Sequence, residues 1–519
     1  MVMKKNILAG VLMLFISVSF IQISCNKQLT ERNEQFAALD PVSTDINAGT
    51  WTPILLTGPT EFALSAPVAT NNPAYVADLN EIKGYQRNLT NKQQAIIQYW
   101  SAGAVLRWNE ILRELVAIHN LAPYQNPDNT YPAPSAANPF AYPVFPFANP
   151  PYASRSYAYV AAAQYDALVA AWHYKKLYNR AAPYKTDSSI KALVPVSDLP
   201  SYPSEDAVVA GVTVELLKLL FPADISYIQS KAAEHKLARM MAGANVRGEL
   251  EAGEALGKQI AQKFTARART DRAGQAGGNP AYWKTLEETT IAKGEACWIS
   301  RETPKRPPML PLFCKVTPFL FDSLTVIALR PPPPPLTGSA KMKEETEEVK
   351  YYSENPTRER MKIVHFWADG TGTYSPPGHW NAIASEEFVK ERFSEVRWAR
   401  NLALLNMAMM DAGIICWDAK YFYFNPRPSQ TDPSIKTLTG LPNFPSYTSG
   451  HSSFSSAAAT ILGHILPDRK SSFEAMALEA SLSRLYGAIH YRSDCEAGMA
   501  SGKKVGEYAV NRAKSDGAE

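Results

Sequence analysis

Two stretches of the chain superpose without a gap at a constant offset of 245 residues. Arg155 meets Arg400, Asp166 meets Asp411, Trp172 meets Trp417, and Lys175 meets Lys420. Pro200-Ser201-Tyr202 meets Pro445-Ser446-Tyr447, Arg239 meets Arg484, and Gly253 meets Gly498. Alanine-rich helices can match by chance, but not through tryptophan, proline and glycine positions over about a hundred residues. Both copies carry small and apolar residues at helical spacing, and sustained alternation of period two is absent. The expected architecture is all-α: two related helical bundles from an internal duplication.

Composition narrows the class. Hydrophobic residues make up 46% of 519, which excludes a disordered chain. Lys+Arg 53 against Asp+Glu 49 leaves +4, too balanced for a nucleic-acid binder. Five cysteines are too few for a disulfide scaffold, although Cys297 and Cys314 can be paired on paper. The start has Lys4 and Lys5, an apolar run from Ile7 to Phe20, and then Cys25. That is the form of a secretory signal, with a single membrane anchor as the other reading. Ile23-Ser24-Cys25 resembles a lipobox, with Gln22 departing from its usual aliphatic residue, so Cys25 is the candidate lipidation site. The expected location is exported: periplasmic, or attached to the outer membrane by a lipid. No later segment reads as a bilayer span, because Arg155, Gln164, Asp166 and Asp411 interrupt the apolar stretches. The expected divisions are a signal peptide (1–25), an N-terminal helical half (26–265), a Pro-rich connection with a pre-site segment (266–397) and a C-terminal catalytic bundle (398–519). The run from Arg301 to Pro335 is expected as extended polyproline packed on the surface.

The copies differ where polar residues concentrate. The second holds Lys420, Arg427, Ser449, Gly450, His451, Arg484, His490 and Asp494. At matching first-copy positions Arg427 becomes Ala182, Gly450 becomes Glu205, His451 becomes Asp206, and His490 becomes Asn245. One site, in the second copy, is implied. Three cations can neutralise a tetrahedral oxyanion, and Ser449 with the Gly450 N–H adds donors at a helix start. One histidine can bind the central atom while the other moves protons. Asp494, four residues after His490, can hold its far ring nitrogen, or only pair with Arg492.

The pattern K-x6-R-P, then S-G-H, then S-R-x5-H-x3-D resembles the superfamily of vanadium-dependent haloperoxidases and type 2 phosphatidic acid phosphatases. Ten fixed positions at about 5% usage each would match by accident about once in 10^13 trials. The resemblance implies that His490 ligates vanadium, or attacks phosphorus, and that Lys420, Arg427, Arg484, Ser449 and Gly450 hold the equatorial oxygens. It implies His451 as the acid–base group, vanadate as the cofactor of a peroxidase and none for a phosphatase.

Trp417 and Phe444 fall where chloroperoxidase-like members have aromatics lining the halide side, although both residue types commonly just pack a core. The stretch HFWADGTGTYSPPGHWN (365–381) resembles the segment whose aspartate pairs with an active-site arginine, which makes Asp369 the expected support of Arg484. The expected activity is halide oxidation by hydrogen peroxide, on small-molecule substrates. An acid phosphatase with a phosphohistidine intermediate, or a non-catalytic oxyanion-binding lipoprotein, remains open at this point.

Overall fold

Several of the long helices begin on a side-chain cap, among them those capped by Asn149, Ser204, Ser394 and Ser449. In this computed structural model residues 36–121, 127–128, 149–302 and 305–519 are described. The signal-like segment and Cys25 lie outside them. In chain order the helices are α1 (Pro73–Gln86), α2 (Asn91–Ser101), α3 (Ala104–His119), α4 (Pro150–Tyr178) and α5 (Glu205–Leu220). Then come α6 (Ile225–Met241), α7 (Arg247–Thr270), α8 (Pro280–Ala292), α9 (Ala340–Glu354) and α10 (Arg358–Phe366). The last are α11 (Ser375–Glu391), α12 (Glu395–Tyr423), α13 (Gly450–Ile465), α14 (Lys470–Tyr486) and α15 (Arg492–Ala513). Among the described residues there is no strand, so the all-α expectation holds.

The 245-residue offset reappears in the elements. α4 and α12 start at 150 and 395, α5 and α13 at 205 and 450, α6 and α14 at 225 and 470, and α7 and α15 at 247 and 492. The repeated residues serve this scaffold. Asp166 accepts backbone N–H groups from Ile54, Leu55 and Leu56, and Asp411 accepts those of Phe319 and Leu320. Arg155 pairs with Asp271 and Arg400 with Asp516, each at 2.7 Å. Buried charges of this kind persist only when paired or hydrogen-bonded.

α4 and α12 pack along each other at the centre, with α5 and α7 on one side and α13 and α15 on the other. α12 opens on Ser394, whose hydroxyl accepts the Arg397 N–H, and closes at Phe424 in the left-handed region (φ 50°). By length and composition the helix running from Glu395 could cross a membrane, contrary to the expectation from sequence, but its most apolar stretch is buried inside the bundle. Its apolarity is that of a core helix with neighbours on every side.

Two further expectations are corrected. Cys297 and Cys314 are free thiols. The Pro-rich segment is more than a surface ribbon. The Pro331 and Pro332 carbonyls accept the Tyr423 and Tyr447 hydroxyls, and the Met309 carbonyl accepts from Trp417 (3.1 Å) and Tyr421 (2.5 Å). The segment is therefore a strap across the C-terminal part of α12, and it brings Met309 to the wall of the central cavity.

Candidate active site

Three segments of the second half converge: the end of α12 with the loop after it, the 443–449 loop leading into α13, and the α14–α15 junction. α13 starts close to α15 because of Gly498. A Cβ there would stand 2.8 Å from the Ser449 carbonyl oxygen and 2.8 Å from the Ser452 Cβ, so only glycine lets the two helices touch at the site.

Lys420 is fully buried, and its ammonium donates to the carbonyls of Pro445 (2.8 Å), Ser446 (2.9 Å) and Thr448 (2.5 Å). Burial pushes its pKa down to about 7. Three acceptors match the three N–H bonds of an ammonium, the form this geometry accommodates. Lys420 thus anchors the loop that presents Ser449. Arg427, also fully buried, donates to the carbonyls of Phe444 (3.0 Å) and Ile489 (2.8 Å) and to His490 Nε2 (2.9 Å). Arg484 donates from Nε to the Ser483 hydroxyl at 3.0 Å. Burial lowers both guanidinium pKa values to about 10, so both stay charged at neutral pH.

The tautomer of His490 follows from its partners. A guanidinium only donates, so Nε2 is the accepting nitrogen and Nδ1 carries the proton. Nδ1–H then donates to Asp494 Oδ2 at 2.9 Å. That oxygen also receives the Ser446 hydroxyl and, at 3.1 Å, the Tyr491 N–H. Asp494 therefore orients His490 and caps α15, and it has no contact with Arg492, which pairs with Glu348. Burial and the fields of Arg427, Lys420 and Arg484 hold the His490 pKa well below the usual histidine range. The imidazole is neutral, with its Nε2 lone pair on the side of the arginines.

Ser449 is the N-cap of α13: its oxygen accepts the Ser452 N–H at 3.3 Å, leaving its O–H as a donor. Gly450 follows with a first-turn N–H, where the helix dipole favours an anion. His451 stands one residue further, its pKa well below the usual value through burial and the field of Arg484. One of its ring nitrogens is bonded to the Trp367 backbone; the other, Nε2, has no hydrogen-bond partner. Asp369 does not form the expected pair with Arg484. Its carboxylate accepts from His379 Nδ1 (3.1 Å) and faces His451 Nε2 at 3.7 Å, while Arg484 feels it only through its field. The reason is local: Asp369 sits in a left-handed turn (φ 44°) packed against the His379 ring.

Gly450, His451, Arg484, His490 and Asp369 line a cavity of about 250 Å³ whose walls include Trp417, Phe444 and Phe454. Trp417 and Phe444 pack at 5.1 Å between ring centres, and Phe444 also covers Lys420 (4.9 Å) and Arg427 (5.1 Å). Two buried guanidinium donors at the site, Arg427 Nη2 and Arg484 Nη2, have no acceptor, while His451 Nε2 has a free lone pair. Buried donors are rarely left unpaired, so this surplus is informative. His379, Ser446, Phe454 and Met309 escaped the sequence reading. Only Ser446 had a signal there, through its repeat partner Ser201.

The matching place in the first half is filled by the protein's own carboxylates. Glu205 pairs with Lys175 at 2.7 Å, and Asp206 with Arg239 at 3.0 Å and His235 at 2.9 Å. Asn245 donates to the Ser201 carbonyl at 3.0 Å and to Glu249 at 3.4 Å. An external anion would meet occupied cations and two like charges. Asn245→Ala is expected to leave oxyanion binding and turnover intact while lowering stability by about 1–3 kcal/mol, since its buried partners lose their donor. Thermal melts and a binding assay check this, and a binding loss as large as that of His490→Ala would contradict it.

Residues 401–506 match the family model described as the PAP2 superfamily. Among solved structures the chain aligns with the first bacterial vanadium-dependent iodoperoxidase at 24% identity and a TM-score of 0.56, covering 70% of this chain and 91% of that one. It aligns with a holo-type bacterial vanadium-dependent chloroperoxidase at 14% identity and a TM-score of 0.50, covering 73% and 96%. The apo-type chloroperoxidase aligns at 13% and 0.50, covering 72% and 95%. Identities this low speak for the shared fold. No curated protein matches the sequence significantly.

Proposed function

We propose, from the match of residues 401–506 to the PAP2 superfamily model together with the site geometry, that the chain is a vanadate-dependent haloperoxidase oxidising halide with hydrogen peroxide. The observation that carries an oxyanion site is the surplus of buried donors: Arg427 Nη2 and Arg484 Nη2 without acceptors, beside the His490 Nε2 lone pair. Vanadate fits this set, with negative oxygens for the guanidinium forks and an electrophilic centre for the imidazole. When bound, it supplies Lewis acidity towards peroxide.

The chain's residues have separable tasks. His490 Nε2 would hold the central atom in place of the Arg427 N–H that it accepts here, with Asp494 fixing the ring through Nδ1. Arg427 and Arg484 would take the oxygens, joined by the Ser449 hydroxyl and the Gly450 N–H. Lys420 holds the loop and contributes its charge from below. His451, neutral and with Nε2 free, would take a proton from the incoming peroxide. The Trp417–Phe444 wall would seat a large, weakly hydrated halide. The fold is shared with structures of an iodoperoxidase and of holo-type and apo-type chloroperoxidase.

The test is a side-by-side assay. Purified protein should bind vanadate at one site, with phosphate in large excess displacing it. The loaded protein should oxidise iodide or bromide with peroxide faster than the metal-free protein hydrolyses p-nitrophenyl phosphate. Failure of phosphate to compete would sink the shared oxyanion cradle. Hydrolysis alone would replace the peroxidase reading with the phosphatase.

A further inference from the structure

Asp369 stands between two histidines, and only one of them has a task in the chemistry above. His379 Nδ1 lies 3.1 Å from Asp369 Oδ1 and 3.2 Å from Oδ2, an almost symmetric approach to the carboxylate. On the far side, His451 Nε2 lies 3.7 Å from Oδ2, beyond hydrogen-bond reach, and is without a partner. The His379 ring is itself immobilised: Trp367 lies 4.6 Å away, Phe366 4.9 Å and Tyr374 6.0 Å between ring centres. It sits in the first two turns of α11, a site remote from the oxyanion cradle in sequence.

We propose that His379 is a positioning residue, clamping the Asp369 carboxylate so that it faces His451 without bonding to it. The consequence is directional. An ionised carboxylate only accepts, so the proton shared with His379 is carried by Nδ1. With that donor in place, Asp369 stays off His451, and Nε2 is free to take a proton from the incoming reactant. Once it carries that proton, Asp369 is the nearest acceptor and balances the new charge. The proton moves from the reactant's O–H to His451 Nε2; neither Asp369 nor His379 gains or loses one. Other charged or titratable groups bear on the pair. His451 feels Arg484, His379 and Lys420, and in turn acts on His490. Asp369 is felt by Arg484, Tyr157 and Tyr374. None of these donates a hydrogen bond to the carboxylate in place of His379.

The functional arm rests on the proposed role of His451, so the experiment includes a readout that does not need turnover. Two substitutions separate the hydrogen bond from the packing. His379→Phe keeps an aromatic ring among Trp367, Phe366 and Tyr374 but removes the donor. His379→Asn loses the ring but retains an N–H near the Nδ1 position. In the anion-free protein, NMR of imidazole N–H protons should show the His379 resonance lost in His379→Phe. An unclamped Asp369 carboxylate can close on His451 Nε2 only by holding a solvent-derived proton there, as the imidazolium, so a new hydrogen-bonded Nε2–H resonance should appear in His379→Phe; in His379→Asn that resonance should be absent. With the active enzyme, His379→Phe should lower kcat by about tenfold or more, within the range for outer partners of catalytic groups, while the vanadate or phosphate Kd stays unchanged. His379→Asn should recover kcat to within about threefold of the parent. If the asparagine variant fares no better than the phenylalanine variant, His379 serves packing and the proposal is overturned. It is equally overturned if the His451 resonance is the same in the parent and in His379→Phe. Absence of any turnover in the parent would count against the haloperoxidase reading, and the NMR comparison would still decide where Asp369 is held.

Discussion

Replacing His490 with alanine is expected to abolish oxyanion binding, while replacing His451 with alanine leaves it largely in place. His490 presents an unprotonated Nε2 beside Arg427, held in place by Asp494 through the opposite nitrogen. Its loss should weaken vanadate affinity by more than about 100-fold, beyond what removal of a mere outer partner costs. His451 has its free nitrogen turned towards Asp369, so its removal should cost about 10^2 to 10^4 in turnover, the usual worth of a general acid–base. Equilibrium dialysis with vanadate, on both variants, separates the roles. Wild-type affinity in His490→Ala, or full turnover in His451→Ala, would undo the assignment.

The second large effect is structural. Lys420→Met keeps the side-chain length but strands the carbonyls of Pro445, Ser446 and Thr448, which the ammonium now satisfies. Each buried acceptor left unpaired costs about 1–3 kcal/mol, so a loss of at least about 3 kcal/mol is expected in chemical denaturation. The 444–449 segment should loosen with it and take Ser449 and Gly450 out of place, so oxyanion binding should fall as well. Lys175→Met, at the matching position of the first half, also removes a buried ammonium, from the Pro200 carbonyl and Glu205. It should destabilise the protein yet spare binding. If Lys420→Met unfolded within about 1 kcal/mol of the parent, the lysine would not be the loop's anchor.

Much of this molecule is dictated locally and so was legible in the sequence. Helical spacing, the helix start at Ser449, and the 245-residue offset required nothing beyond the order of residues. The contrast between His451 and Asp206, or His490 and Asn245, located the site in the second half for the same reason: it is a difference in residue type at fixed register. The sequence supplied the local partner of His490, Asp494 one helical turn on, but not the partners of charges brought together from far along the chain. Asp369 was expected on Arg484 and instead lies between His379 and His451, because a left-handed turn and an aromatic packing site decide where its carboxylate points. That Lys420 also donates its N–H groups to three loop carbonyls was not legible, because a fully buried ammonium must satisfy whatever acceptors the fold brings to it. The apolar α12 was expected to be too interrupted to resemble a membrane span, and only its neighbours show it to be a core helix. Periodicity and capping act between residues a few positions apart, whereas ion pairing and burial act between groups brought together across hundreds of residues. The first kind of interaction is written in the sequence; the second exists only once the chain has folded.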